Sequence, residues 1–169
     1  MNSFFFILIL ELQIKEMKIL VVCLGNICRS PLAEGILKSK LPENFTVDSA
    51  GTISLHEGEH PDKRAIETAK KHGISIGKQK SRPITKNDFE VFDKIYCMDL
   101  SVYEDVLSMA TNEEKRTKVS LFLEEANIPE NNYEVFDPYW SGLDGFDKVY
   151  QLLDQASENI KTKLLNHQI

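Results

Sequence analysis

The sequence predicts a single α/β domain, a four-stranded parallel sheet with helices on both faces and a flavodoxin-like strand order. Three observations carry this. Apolar runs at 18–22, 45–50, 94–98 and 117–122 alternate with helix-period stretches at 31–41, 62–72, 86–92, 100–110 and 145–165. Strands that alternate with helices pair in parallel through right-handed crossovers. The chain has 169 residues, 42% of them hydrophobic and 27% charged, which suits one soluble domain with a sizeable core.

The first run, Lys18-Ile-Leu-Val-Val22, is short and rich in β-branched residues, so it reads as a buried strand. Cys23 to Arg29 follow as its exit loop, and Ser30-Pro31 reads as a helix start, Ser at N-cap and Pro at N1, leading into Leu32 to Leu41. Pro61-Asp62 and Thr85 mark the next two helix starts, and His72-Gly73 marks a stop with Gly at C′. Ile128 to Tyr133 reads as a polar loop. The last helix carries Phe146, Val149, Tyr150, Leu152, Leu153, Ile160 and Leu164 as an apolar stripe at helical spacing.

Before the first strand, Phe4 to Leu10 is strongly apolar, but Glu11 ends the run well short of a membrane span. No basic residue precedes it and no small-residue cleavage site follows, so it does not read as a signal peptide. Residues 1–16 read as an extension outside the core fold, with the domain over 17–169.

In an open parallel sheet the ligand sits beyond the carboxyl ends of the strands, at the topological switch point. The exit loop of the first strand, Cys23-Leu24-Gly25-Asn26-Ile27-Cys28-Arg29-Ser30, lies there. Backbone N–H groups of such a loop and the positive end of the following helix converge on an anion. The same field stabilises a thiolate, which makes Cys23 the candidate nucleophile. Arg29 offers the planar two-point hydrogen bonding that suits a tetrahedral oxyanion, which Lys does not reproduce. Gly25 and Asn26 are residue types that tolerate left-handed backbone, as a loop with inward-turned N–H groups requires. Ser30 is placed to cap its helix or to direct its hydroxyl at the Cys23 sulfur.

Two rival sites lack their residues. A Walker loop needs a Gly-Lys pair, absent from this loop, and Cys23-x4-Cys28 has no second ligand pair for zinc. Transfer of a phosphoryl group to a thiolate needs a separate proton donor for the leaving oxygen. Asp137, in Asp137-Pro138-Tyr139-Trp140, is the candidate, because a carboxyl near a thiolate and a phosphate is favoured in its protonated form. Tyr139 and Trp140 are placed to flank an aromatic leaving group. A net charge of −6 with no basic stripe argues against nucleic acid. Three cysteines in no even framework fit a reducing, cytoplasmic compartment.

With the loop and the Asp-Pro pair in place, the chain resembles the low-molecular-weight protein tyrosine phosphatases over Lys18 to Leu165. The resemblance rests on Cys23-Leu-Gly-Asn-Ile-Cys-Arg-Ser-Pro31, with Asp48-Ser-Ala-Gly-Thr52, Pro61-Asp62, Arg64-Ala65, Phe92-Asp93, Cys97-Met98-Asp99 and Asp137-Pro138-Tyr139 in support. It implies hydrolysis of phosphotyrosine through a cysteinyl phosphate on Cys23. Arg29 and the amides of Leu24 to Ser30 hold the phosphoryl group, Asp137 is general acid and then base, and no metal or cofactor takes part. It further implies that Asn26, Ser30 and Ser49 brace the loop, and that Cys28 pairs reversibly with Cys23 on oxidation. Leu55, with Tyr139 and Trp140, belongs to the implied substrate rim; it stands where many members carry tryptophan, and His56, Glu57 and Glu59 make that rim acidic. The implied partner is a phosphotyrosine-containing protein, with no nucleic acid or membrane; no oligomeric state is implied.

Relatives sharing this fold give other readings. Thioredoxin-coupled arsenate reductases need two further cysteines on a mobile segment, whereas only Cys97 remains here, in an expected core strand. Phosphoarginine phosphatases usually carry Thr where Ile27 stands, and an apolar side chain suits a phenyl ring better. A phosphate-binding or redox-sensing module without catalysis would keep the loop but not need Asp137.

Overall fold

Four strands form one sheet in a computed structural model that describes residues 16–166. They are β1 (Met17–Cys23), β2 (Phe45–Gly51), β3 (Lys94–Cys97) and β4 (Val119–Leu121), in the order β2-β1-β3-β4. All three pairings are parallel, with β1 between β2 and β3 in registers that set Cys23 beside Gly51 and Val22 beside Cys97. This is the expected flavodoxin-like order, and β1 is the central strand whose exit loop carries the cysteines. Of the N-terminal extension, residues 1–15 lie outside the described part, and Glu16 is exposed.

β1 is covered on both faces because its side chains alternate between two cores. Ile19, Val21 and Cys23 join one cluster with Leu32, Ile36 and Leu37 of α1 (Arg29–Lys40) and Phe146, Val149 and Leu153 of α7 (Leu143–Leu165). Leu20 and Val22 join the other, with Phe89 of α3 (Asp88–Val91) and Val102 and Val106 of α4 (Leu100–Met109). Full burial of each such side chain is worth about 1.5–3 kcal/mol, so the strand that positions the cysteine loop is firmly held. α7 packs across α1 and α2 (Lys63–Lys71) on the first face.

Helix ends follow their local chemistry in three places. Asp62 caps α2 by accepting from Arg64 N–H, Asp99 caps α4 through Val102 N–H, and Gly73 leaves α2 with φ of 75°. The start at Ser30 is different. The helix begins at Arg29 with Cys28 at the N-cap, and Ser30 lies inside the first turn, with no side-chain cap hydrogen bond at the N-cap. Its hydroxyl is engaged by Cys23 and Asn26 instead, and Pro31 is tolerated because first-turn N–H groups lack intrahelical partners.

Three further expectations are corrected. The run at 117–122 splits: Glu113–Thr117 is a short helix (α5), only Val119–Leu121 is strand, and Phe122–Glu125 starts another short helix (α6). The stretch at 86–92 contracts to α3, preceded by a turn at 86–87 in which Thr85 N–H donates to Asp88 Oδ2. The loop at 128–133 contains a 3-10 turn, Glu130–Tyr133, with Asn131, Asn132 and Tyr133 all left-handed. Among the described residues no helix is long and apolar enough to cross a membrane.

Candidate active site

The exit loop of β1 returns on itself over the first turn of α1. Asn26 takes the left-handed conformation, φ 56°, and its N–H points back at Cys23 Sγ, 3.3 Å away. Gly25 is not left-handed; its lack of a side chain serves space instead, since a Cβ there would stand 3.1 Å from the His56 ring. The hydroxyl of Ser30 lies 3.0 Å from the same sulfur.

The Asn26 amide locks this arrangement. Its Oδ1 accepts from Arg82 N–H at 3.0 Å, so its Nδ2 must face Ser30 Oγ at 2.8 Å and Ser49 Oγ at 2.9 Å. Because Ser30 Oγ accepts from Nδ2, its own proton is free to turn toward sulfur. Ser49 in turn donates to Glu34 Oε2 at 2.5 Å, and Glu34 is buried against Lys38. A satisfied buried network of this kind fixes one loop conformation. Ser81 Oγ and Asp62 N–H donate to the loop's outer carbonyls, Gly25 and Ile27, at 3.0 and 2.8 Å.

Arg29 is 3% exposed, with its guanidinium brought to the pocket by three partners. Nη1 donates to Asp99 Oδ2 at 2.6 Å and to the Val135 carbonyl at 2.8 Å, and Nη2 lies 3.6 Å from Asp137 Oδ2. Burial alone would weaken its hold on a proton, but Cys23, Asp99 and Asp137 together raise its pKa above the ordinary arginine value. Arg29 therefore stays charged throughout any working pH. Burial pushes the Cys28 thiol far above its usual range, and the negative charge of Asp62, Cys23 and Asp137 adds to the shift. Cys97, inside β3, is pushed up by burial and then by Asp99.

Asp137 starts the 3-10 turn Pro138–Trp140 and accepts from Tyr139 N–H at 3.0 Å. It remains part-exposed on the wall of a cavity of about 320 Å³ above the cysteine. Cys23, Cys28, Arg29 and Gly25 form the floor and Leu24, Ile27, Ile53, Leu55, Tyr139 and Trp140 the apolar sides. Trp140 is 92% exposed and edge-on to Tyr139, so it stands at the mouth. His56 also lines the cavity, paired with Glu59 at 2.8 Å. An apolar slot with a cationic, amide-lined floor fits a flat ring carrying a tetrahedral dianion.

Cys23, Arg29 and Asp137 thus meet in one cavity, with Leu55, Tyr139 and Trp140 on its rim and Ser49 beneath the loop. Sequence reasoning gave no role to several residues that shape it: Asp99, Glu34, Ser81, Arg82, Arg64, Ile53 and the Val135 carbonyl. Asp99 had a usable signal, since a carboxyl just past the end of β3 lies at the ligand edge of a parallel sheet. Glu34 sits one turn after Ser30 on the buried face of α1. Among the described residues no group of three or more His, Cys, Asp or Glu side chains is placed to hold a metal ion.

Known proteins resemble this chain over most of its length. The family model "Low molecular weight phosphotyrosine protein phosphatase" matches residues 18–168. The low molecular weight phosphotyrosine protein phosphatase of Schizosaccharomyces pombe is 40% identical over 155 residues, covering 88% of this chain and 97% of that one. Its human counterpart is 40% identical over 138 residues, covering 79% and 86%. A protein tyrosine phosphatase from Entamoeba histolytica, solved with Hepes in the active site, superposes with a TM-score of 0.85 at 38% identity, covering 90% of this chain and 99% of that one. Vibrio vulnificus Wzb, solved in complex with benzylphosphonate, gives 0.79 at 35% identity, covering 87% and 98%. On sequence and on fold alike, the chain belongs to the low molecular weight phosphotyrosine protein phosphatase family and is a phosphatase.

Proposed function

We propose that this phosphatase hydrolyses phosphotyrosine and other aryl phosphate monoesters through a cysteinyl-phosphate intermediate. One observation carries the reading: the Cys23 sulfur, the buried Arg29 guanidinium and the Asp137 carboxyl share a single apolar-sided cavity. The benzylphosphonate held by the Vibrio vulnificus relative, a phosphonate one methylene from a phenyl ring, supports an aryl substrate.

The Cys23 thiolate attacks phosphorus from below while Arg29 and the loop N–H groups hold the non-bridging oxygens. As the bond to the phenol oxygen breaks, Asp137 passes its proton to that oxygen and phenol leaves. Asp137 then takes a proton from water, whose oxygen attacks phosphorus. The S–P bond breaks, the sulfur returns as thiolate under the Ser30 hydroxyl and the Asn26 N–H, and inorganic phosphate departs. The proton given to phenol is thus replaced by one from water, and Asp137 ends the cycle as it began.

We assign the catalytic domain to 17–169 with 1–16 outside it, in keeping with the family match over 18–168, and the cytoplasm as the working compartment because three cysteines form no even disulfide framework. Kinetics on phosphotyrosine, phosphoserine and phosphoarginine peptides test the substrate class, with phosphotyrosine expected to lead by at least about tenfold in kcat/KM. Cys23→Ser abolishes turnover while retaining vanadate binding; turnover at the parent rate would remove the nucleophile assignment. Deletion of residues 1–16 leaves kcat/KM unchanged.

A further inference from the structure

We propose that Arg64 is the positioning residue for the general acid, tying the Asp137 turn to the phosphate loop; the proposal rests on the acid role assigned to Asp137 above. Asp137 itself has few holds. Its carboxylate contacts Arg29 at 3.6 Å and the Tyr139 N–H at 3.0 Å, so its place is set by the backbone turn that it begins.

That turn is closed internally by Ser141, whose N–H and hydroxyl both donate to the Pro138 carbonyl, at 2.9 and 2.7 Å. From beneath, it presses onto α7 so closely that a Cβ on Gly145 would stand 1.9 Å from Ser141 Oγ. From the side, two of its carbonyls point at one guanidinium. Arg64 Nη1 donates to Ser141 O at 2.6 Å and Nη2 to Tyr139 O at 3.0 Å.

The other edge of the same guanidinium grips Asp62, through Nε to Oδ1 at 3.0 Å and Nη2 to Oδ2 at 2.8 Å. The plane lies over the Phe146 ring, 4.6 Å from its centre. Asp62 is the cap of α2, and its own N–H donates to the Ile27 carbonyl of the phosphate loop at 2.8 Å. A continuous path therefore runs from the phosphate loop through Asp62 and Arg64 to the turn that carries the acid. Arg64 does not line the cavity, so it acts on Asp137 rather than on substrate. Only a planar fork makes four such bonds at once; an ammonium group cannot serve both edges. Misplacing a proton donor by about 1 Å costs on the order of 100-fold in rate.

The test uses Arg64→Lys and Arg64→Gln in the full chain, assayed on phenyl phosphate and p-nitrophenyl phosphate with vanadate inhibition alongside. Arg64→Lys keeps a positive charge opposite Asp62, so it carries the test if the glutamine variant fails to fold. We expect kcat/KM, which reports the step that expels the leaving group and not the shared hydrolysis of the cysteinyl phosphate, to fall about tenfold or more on phenyl phosphate, whose leaving group needs the proton. On p-nitrophenyl phosphate it should fall less than about twofold, with vanadate inhibition unchanged. In an Asp137→Ala background the Arg64 change should add nothing further. Equal losses on both substrates, weakened vanadate inhibition, or additive losses in the double variant overturn the proposal. Asp137→Ala alone separates the two layers. If it discriminates between the leaving groups and Arg64→Lys does not, only the Arg64 proposal falls; if it does not discriminate, the acid assignment falls and takes the proposal with it.

Discussion

The hydroxyl of Ser30 stands 3.0 Å from the sulfur of Cys23, and the Asn26 amide donating to that oxygen leaves its proton free for the sulfur. A hydrogen bond to sulfur helps most when the thiolate is the leaving group, in the second step. Ser30→Ala should therefore slow breakdown of the cysteinyl phosphate more than its formation. A pre-steady-state burst of p-nitrophenol, with kcat lowered about tenfold, is the expected signature. Loss of both phases in proportion would contradict it.

Asp99 both caps α4 and faces Arg29. Asp99→Asn retains a capping side chain but removes the charge opposite a buried guanidinium. The expected outcome is vanadate affinity weakened by about tenfold or more, as for loss of a charge-assisted hydrogen bond. Thermal unfolding should also move down, because a buried charge loses a partner.

Iodoacetamide should discriminate among the three cysteines. Burial pushes the thiols of Cys28 and Cys97 well above their usual range, so both are protonated at neutral pH and poor nucleophiles. Peptide mass analysis at pH 7 should find the label on Cys23 first, and inorganic phosphate should slow it. Labelling of Cys97 at an equal rate would contradict its place inside β3.

Acid stability has a named contributor. The Arg64 guanidinium holds the Asp62 carboxyl below the usual carboxylate range. A carboxyl whose folded value is depressed stabilises the fold fully above its unfolded value, and that contribution fades as pH falls through the folded value. Asp62→Asn should therefore lower Tm at pH 7, and the gap from the parent should narrow as pH drops below about 4. A gap constant with pH would leave the ion pair without a role in stability.

The strand order and both cores were legible because β1, α1 and α7 have strong apolar patterns and the cysteine loop separates a strand from a helix. Boundaries failed where two signals overlap. Ser30-Pro31 has the local form of a helix cap, yet a sulfur and an amide from the same loop take the hydroxyl. Residues 117–122 form one apolar run because the end of β4 and the first turn of α6 are both buried. α5 is polar on every side, so it has no stripe to find. Within the site, Cys23, Arg29 and Asp137 stood out by residue type, whereas Asp99, Glu34 and Arg64 act through partners far away in the chain. Arg64 and Tyr139, 75 positions apart, are neighbours only once α2 and α7 have packed.

Arg29 reaches a carbonyl 106 residues further along the chain, at Val135, and the carboxylate of Asp137 just beyond it. The reactive centre is in this sense closed by two segments more than a hundred positions apart. A fragment that stopped between Arg29 and Val135 would keep the thiol and the guanidinium but lose the carbonyl and the carboxylate that hold that guanidinium at the cavity. Competence toward phosphate esters therefore depends on β1 and the Asp137 turn being folded together, and a single cut between them divides the reactive centre.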